Sequence, residues 1–122
     1  MKATKITYWI TTAVVALMMA YSCYAYLTQD VIKQAFQHLG FPDYFRVELG
    51  IAKLIGAALL IAPVAKRLKE WAYAGIFFVM TGASVSHIAI NDSLFHILVP
   101  SVIACLAICS WYLRPLSRRL TI

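Results

Sequence analysis

The stretch "RVELGIAKLIGAALLIAP", residues 46–63, decides the fold of this chain. It is apolar enough to cross a bilayer, whose roughly 30 Å hydrocarbon core takes about 20 helical residues at 1.5 Å rise. Yet the stretch begins with Arg46 and contains Glu48 and Lys53. A charged group at the centre of a membrane helix costs about 2.5–3.5 kcal/mol on insertion scales. Each of these groups therefore needs a partner, water or a change of protonation.

The rest of the chain is similarly apolar. Its 122 residues are 62% hydrophobic and only 13% charged, whereas soluble domains carry about 25% charged residues. Four segments are long enough to span a membrane, at residues 8–27, 45–62, 71–90 and 94–113. The sequence therefore predicts an all-α integral membrane protein, a single domain over residues 1–122 with four helices packed as an up-down-up-down bundle.

Loop charges predict the orientation. One side carries eight basic residues: Lys2, Lys5, Lys66, Arg67, Lys69, Arg114, Arg118 and Arg119. The other side comprises residues 28–44 and 91–93. Because Lys and Arg concentrate in cytoplasmic loops, both termini are expected in the cytoplasm, with the chain as a multi-pass protein of a bacterial inner membrane. The net charge of +6 is then a topology signal. The expected partner is the lipid bilayer, and no nucleic acid is predicted.

The segment between the first two spans predicts a short amphipathic helix. Its apolar residues recur at helical spacing: Val31, Ile32, Ala35, Phe36 and Leu39. Thr28 is expected to cap the start of this helix and Gly40 to end it. The helix would cover the outer mouth of the bundle.

Polar groups concentrate near this outer side. Counting along the helices brings residues from all four spans to similar depth, and they form one candidate ligand-binding set: Glu48, Lys53, His87, Tyr24, Ser22, Asp92 and His96. Such one-sided polarity predicts a pocket that opens outward. The alternative is that these groups only stabilise the bundle through contacts between helices.

Glu48 and Lys53 are not expected to pair with each other, because they lie about 140° apart on a helical wheel. Lys53 shares a face with Arg46, Gly50 and Ala57, and the two small residues predict that this face points between helices. Glu48 is expected to approach His87 or the polar end of the first span.

Small residues also predict close helix packing in the third span, where Gly75, Gly82 and Ser86 share a face. No catalytic residue or metal site is predicted, because the sequence carries no haem motif, phosphate loop, nucleophile elbow or metal-ligand spacing. The three cysteines are expected to act as small packing residues: Cys23, Cys105 and Cys109.

Two long stretches resemble the DoxX-like family of small four-helix bacterial membrane proteins. They are "HLGFPDYFRVELGIAKLIGAALLIAP" at 38–63 and "LKEWAYAGIFFVMTGASVSHIAI" at 68–90. The most specific elements are Gly40-Phe41-Pro42, Glu48 with Gly50 and Lys53, Lys69 to Gly75, and Ser86-His87. The family takes its name from a subunit of a thiosulfate:quinone oxidoreductase, and distant animal relatives act as receptor-assembly chaperones. The resemblance implies the four-helix fold and a place beside a membrane or redox protein partner.

Two functions from different classes follow. The first is an accessory subunit that binds a small amphipathic molecule, such as a non-covalently held quinone, in the outer pocket and serves a membrane oxidoreductase. The second is a non-catalytic assembly or scaffold protein whose polar cluster only locks the bundle. A proton-coupled transporter is less favoured, because no internal repeat is present. Enzymatic activity and the oligomeric state stay open at this level.

Overall fold

The computed structural model describes residues 2–63 and 65–120, and these residues form helices without any strand. Five α-helices precede a short 3-10 turn at Leu116–Arg118, and they are α1 Lys2–Thr28, α2 Asp30–Leu39, α3 Asp43–Ile61, α4 Lys66–Ala89 and α5 Leu94–Leu113. The all-α prediction is confirmed. Two helices begin earlier than predicted, α1 at Lys2 rather than 8 and α4 at Lys66 rather than 71. The added residues include Lys and Glu, which continue a helix readily although they lie outside the apolar run.

Three of these helices are long and apolar enough to cross a membrane: α1, α4 and α5. Helix α3 has 19 residues but also carries Asp43, Arg46, Glu48 and Lys53. The charges of α3 are spread over its first eleven residues, whereas those of α4 lie within its first five and leave the rest of that helix free of Asp, Glu, Lys and Arg. The role of α3 as a fourth span therefore stays a prediction.

Helix α2 confirms the predicted amphipathic segment. Phe36 is buried on its apolar face, with ring centroids 5.1 Å from Tyr26 of α1 and 6.3 Å from Phe45 of α3. Gly40 ends the helix in the left-handed region at φ 87°, a conformation that glycine adopts without a steric penalty. The predicted Thr28 cap is wrong, because the Thr28 hydroxyl donates to the Tyr24 carbonyl at 2.6 Å and so serves the last turn of α1 instead.

The four long helices pack in a closed cycle, in which α1 contacts α3 and α5, and α4 contacts the same two helices. The core between them is aliphatic and aromatic, and it includes Val15, Met19, Leu60, Tyr73, Ile76, Met80 and Ile103. Helices α1 and α3 approach each other closely at Gly50, where an added Cβ would lie 3.1 Å from Tyr26 Cβ. The predicted packing role of Gly50 is therefore confirmed.

The corresponding prediction for α4 is wrong. An added Cβ at Gly75 or Gly82 would meet no atom within 4 Å, so neither glycine permits a close helix approach. Both line open space along the α3–α4 seam instead. This seam is the least extensively packed of the four helix contacts in the cycle.

One end of the molecule, here called the tail end, is closed by cations that bind main-chain oxygens. Lys69, which is only 1% exposed, donates to the carbonyls of Leu59, at 2.5 Å, and Ala62. Arg118 donates to the carbonyls of Leu60 and Ile61, both at 3.0 Å. These oxygens lie at the C-terminus of α3, where helical carbonyls lack intrahelical donors and the helix dipole favours positive charge.

Hydroxyl groups and an ion pair add to the packing at this end. The Ser110 hydroxyl is hydrogen-bonded to Thr12 at 2.5 Å and to Tyr73 at 2.7 Å, and all three residues are buried. Arg114 donates to Glu70 Oε1 at 2.6 Å and joins α5 to α4. Among the described residues, the tail end thus satisfies its buried polar side chains within the chain, with the exception of Arg114 Nε.

Candidate functional site: a cavity at the α2 end

The opposite end, here called the α2 end, contains a cavity of about 490 Å³ that lies between α2, α3 and α4. Its walls are largely apolar and include Phe36, Phe41, Phe45 and Phe78. A smaller set of polar residues lines the same space: Tyr26, Lys53, Ser86, His87, Asp92 and His96. An apolar concave site with a few convergent polar groups is the usual form of a small-molecule site.

Lys53 is the buried cation of this cavity. It is 7% exposed, and its Nζ lies 2.7 Å from the Tyr26 hydroxyl and 4.1 Å from the centre of that ring. This is its one hydrogen bond, and no carboxylate forms an ion pair with it, among the described residues. The prediction that Lys53 points between helices is confirmed. An ammonium carries three N–H donors, so two remain for water or a ligand.

Tyr26 is the site residue that sequence reasoning missed, since membrane-boundary tyrosines usually form an interfacial belt. Its ring packs edge-on against the Phe36 ring. Its Cβ lies beside Gly50, which has no side chain on that face of α3. Arg46 donates to its main-chain carbonyl and also pairs with Asp43 at 3.1 Å. The only sequence signal was the shared wheel face of Arg46, Gly50 and Lys53, which all contact this one tyrosine.

A second polar group of the cavity is formed by Asp92, which joins two histidines. Its Oδ2 lies 2.7 Å from His87 Nδ1, and its Oδ1 lies 3.1 Å from His96 Nδ1. The two imidazoles stack with ring centroids 5.4 Å apart. The Ser93 N–H also donates to Asp92, and this bond, with those to the histidines, lowers the pKa of the carboxyl from 3.8 to about 2.

The tight turn between α4 and α5 brings these three residues together. Asn91 adopts the left-handed region at φ 55°, which Asn tolerates better than most residues. The Asp92 N–H then donates to the His87 carbonyl at 2.9 Å. The turn thus places the Asp92 carboxylate directly beneath the end of α4. Both Nδ1 atoms face Asp92, while neither Nε2 has a hydrogen bond among the described residues.

The remaining predicted site residues lie outside this cavity. Glu48 is exposed and forms neither a hydrogen bond nor an ion pair in the part of the chain that the structure describes. The expected approach of Glu48 to His87 or to α1 is therefore wrong, although Glu48 and Lys53 do face different neighbours as predicted. Tyr24 is 61% exposed and packs beside Tyr21, and Ser22 does not line the cavity.

A second, smaller cavity of about 260 Å³ continues along the α3–α4 seam towards the tail end. It shares Leu49, Lys53 and Val79 with the first cavity, so Lys53 lies where the two spaces meet. Every other residue lining the second cavity is apolar. We call it the seam groove.

The arrangement provides hydrogen-bond donors rather than a metal cage. Over residues 2–63 and 65–120, no group of three or more His, Cys, Asp or Glu side chains is placed to hold a metal ion. The three cysteines are free thiols, with Cys23 buried and Cys105 exposed. The cavity can bind an acceptor at Lys53 and offer the Asp92-bound imidazoles that line the same space for proton exchange.

Comparison with known proteins identifies the family. No curated protein and no solved structure gives a significant match to this chain. The profile of the DoxX-like family matches residues 10–110, which include all of the cavity-lining residues. That match covers well over half of the chain. The chain belongs to the DoxX-like family.

Proposed function

We propose that this chain is an accessory subunit of a membrane redox system and that it binds a small amphipathic, quinone-like molecule in the cavity at the α2 end. One observation carries the proposal: Lys53, Tyr26 and the Asp92-bound histidines line the same largely apolar space. A carbonyl oxygen would accept hydrogen bonds from Lys53, and a ring would pack against the phenylalanines. Asp92 would hold His87 ready to exchange a proton with the ligand.

The proposal includes the membrane arrangement. Helices α1, α3, α4 and α5 would span a bacterial inner membrane as an up-down-up-down bundle, with both termini in the cytoplasm and the cavity open outward. The basic residues at the tail end support this orientation. Helix α3 would tolerate its charges because Lys53 lies between helices and Arg46 binds Asp43 and the Tyr26 carbonyl.

Ligand extraction tests the binding role. The tagged full chain is purified in mild detergent, its bound lipids are extracted, and quinones are quantified by mass spectrometry. We expect quinone-like molecules in the wild type, loss of them in Lys53→Met, and retention in Lys33→Met, which removes an exposed lysine of α2. Equal quinone content in all three proteins would contradict the proposal.

Cysteine labelling tests the orientation in a background without the three native cysteines. Single cysteines within 30–40 and 91–93 should react with a membrane-impermeant maleimide from outside, and those within 64–70 only after permeabilisation. External labelling of 64–70 would reverse the orientation and with it the outward cavity.

A second function, that of an assembly or scaffold protein, is favoured by Glu48. This carboxylate is exposed on α3, about one and a half turns from the start of the helix at Asp43, where a basic residue of a partner protein would satisfy it. Under this function Glu48→Gln would lose co-purifying partners yet keep the thermal stability and ligand content of the wild type. Loss of ligand with intact partner binding, as in Lys53→Met, would favour the first function.

A further inference from the structure

The junction of the two cavities points to the chemical class of the ligand. We infer that the site takes a single-chain amphiphile with an anionic headgroup, a fatty-acid carboxylate, which binds at Lys53 and Tyr26 and lays its chain in the seam groove. This inference rests on the proposed amphiphile-binding role and differs from it in the headgroup at Lys53, which is a carboxylate rather than a quinone carbonyl.

The headgroup assignment follows from the donors at the junction. Lys53 donates to the Tyr26 oxygen, so the Tyr26 hydroxyl hydrogen is itself available to donate. The ammonium keeps two further N–H donors. Three donors on two adjacent groups match a carboxylate, whose two oxygens accept several hydrogen bonds, and charge-assisted bonds of this kind are the stronger ones.

Charge favours an anion over a neutral acceptor at this position. A buried cation without an opposite charge is costly, and a negative group within a few ångströms offsets that cost. The described residues supply no carboxylate to Lys53. Asp92 is bound to His87 and His96 instead, so Lys53 is left to attract an anionic headgroup.

The chain assignment follows from the lining of the seam groove. Apart from Lys53, the groove is formed by aliphatic residues, glycine and Trp71. The cavity at the α2 end is lined by several polar groups as well. From Val79 to Leu68 the groove follows α4 for about 16 Å by helix rise. An extended alkyl chain fits this shape.

Access is lateral, from the lipid phase. Several residues along the groove are exposed on the outer surface of the helices, among them Trp71, Ile55 and Leu68. Gly75 leaves its part of the groove open because an added Cβ would meet nothing within 4 Å. The alkyl chain of a lipid can therefore enter between α3 and α4 while the protein stays folded.

Equilibrium binding to the purified full chain in detergent tests the inference, with palmitate, its methyl ester, octanoate and an alkyl benzoquinone as probes. We expect palmitate to bind at least about tenfold more tightly than its methyl ester, a difference of about 1.4 kcal/mol. Lys53→Met should abolish this preference, and Tyr26→Phe, which keeps the ring packing, should reduce it. Lys33→Met should bind like the wild type.

Gly75→Leu tests the position of the chain. It fills the groove about 6 Å from the level of Val79 by helix rise, so it should weaken palmitate binding more than octanoate binding, because most of the longer alkyl chain lies beyond this position. Ala58→Leu adds the same side chain to an exposed position of α3 that lines none of the cavities described here, and it should change neither.

The outcomes separate the two proposals. Binding of the benzoquinone without binding of palmitate, or equal affinity for palmitate and its ester, would overturn the anionic class and leave the proposed function standing. Failure of every probe to bind would overturn both. Unchanged palmitate affinity in Gly75→Leu would show that the alkyl chain does not lie in the seam groove.

Discussion

Two buried lysines, Lys53 at the α2 end and Lys69 at the tail end, differ in what surrounds them. Lys69 donates to two carbonyls at the C-terminus of α3 and shares that helix end with Arg118. Lys53 donates only to the Tyr26 hydroxyl among the described residues and lies at the junction of two cavities. The same residue type therefore closes a helix end in one place and faces open space in the other.

The difference separates structural polarity from polarity that is available for binding. At the tail end, main-chain oxygens and hydroxyl groups meet donors within the chain, and the one buried side-chain donor left unpaired among the described residues is Arg114 Nε. At the α2 end, the cation and the imidazoles keep donors that the chain does not use. Burial alone does not distinguish the two lysines, whereas the number of partners does.

The largest expected effect comes from exchanging each lysine for methionine. Lys69→Met should lower the free energy of unfolding by about 3 kcal/mol, because the carbonyls at the end of α3 lose a charged donor inside the protein. Lys53→Met should change it by less than about 1 kcal/mol, because it strands no opposite charge. Thermal unfolding in detergent measures both. Equal losses in the two variants would mean that Lys53 is also structural.

The hydroxyl groups of the two ends provide the second test. Ser110→Ala should cost about 2 kcal/mol, since it leaves the buried hydroxyls of Thr12 and Tyr73 without their shared partner. Ser86→Ala should cost less than about 0.5 kcal/mol, because within the described part of the chain its hydroxyl bonds only to the Gly82 carbonyl of its own helix. Denaturation of both variants beside the wild type gives the two values. A loss of unfolding free energy for Ser86→Ala as large as that for Ser110→Ala would show that the cavity lining is as important to stability as the tail end.

Glycine substitutions compare the tight and the open helix contacts. Gly50→Ala should destabilise the protein by about 1 kcal/mol, since its Cβ would lie 3.1 Å from Tyr26 Cβ and push α1 from α3. Gly75→Ala should stabilise it by about 0.5–1 kcal/mol, because alanine favours the helix and the added Cβ meets open space. Melting temperatures of the two variants should therefore move in opposite directions. A shared direction would mean that the α3–α4 seam closes in the membrane.

The smallest expected effect is the pH dependence of Asp92. Its pKa in the folded protein, about 2, lies below the ordinary value of 3.8, so the unfolded chain binds more protons between these values. The stabilisation is present above about pH 4 and is lost as the pH falls through about 2. The free energy of unfolding, measured across this window, should fall as the pH is lowered in the wild type. The fall should be less steep in Asp92→Asn. Identical pH profiles would show that the contacts to Ser93 and the histidines do not stabilise the fold.

Much of the candidate site was readable from local sequence. His87, Asp92 and His96 are close along the chain, so the turn between α4 and α5 brings them together by local geometry. The wheel angle of Lys53 predicted its interior position, because a helix fixes which residues share a face. The same reasoning failed for Glu48, since depth along a helix does not say towards which neighbour a side chain points.

The sequence by itself determined the helical class, the apolar segments, the amphipathic α2 and the family, because each depends on composition and periodicity over a few turns. The tertiary structure alone decided that Tyr26 is the partner of Lys53, that Lys69 and Arg118 bind the end of α3, and that Gly75 and Gly82 border empty space. These are contacts between helices or beside a gap between them. A helix's own pattern marks its small and polar positions, but whether such a position meets a backbone, a donor or a cavity depends on how the neighbouring helices are placed.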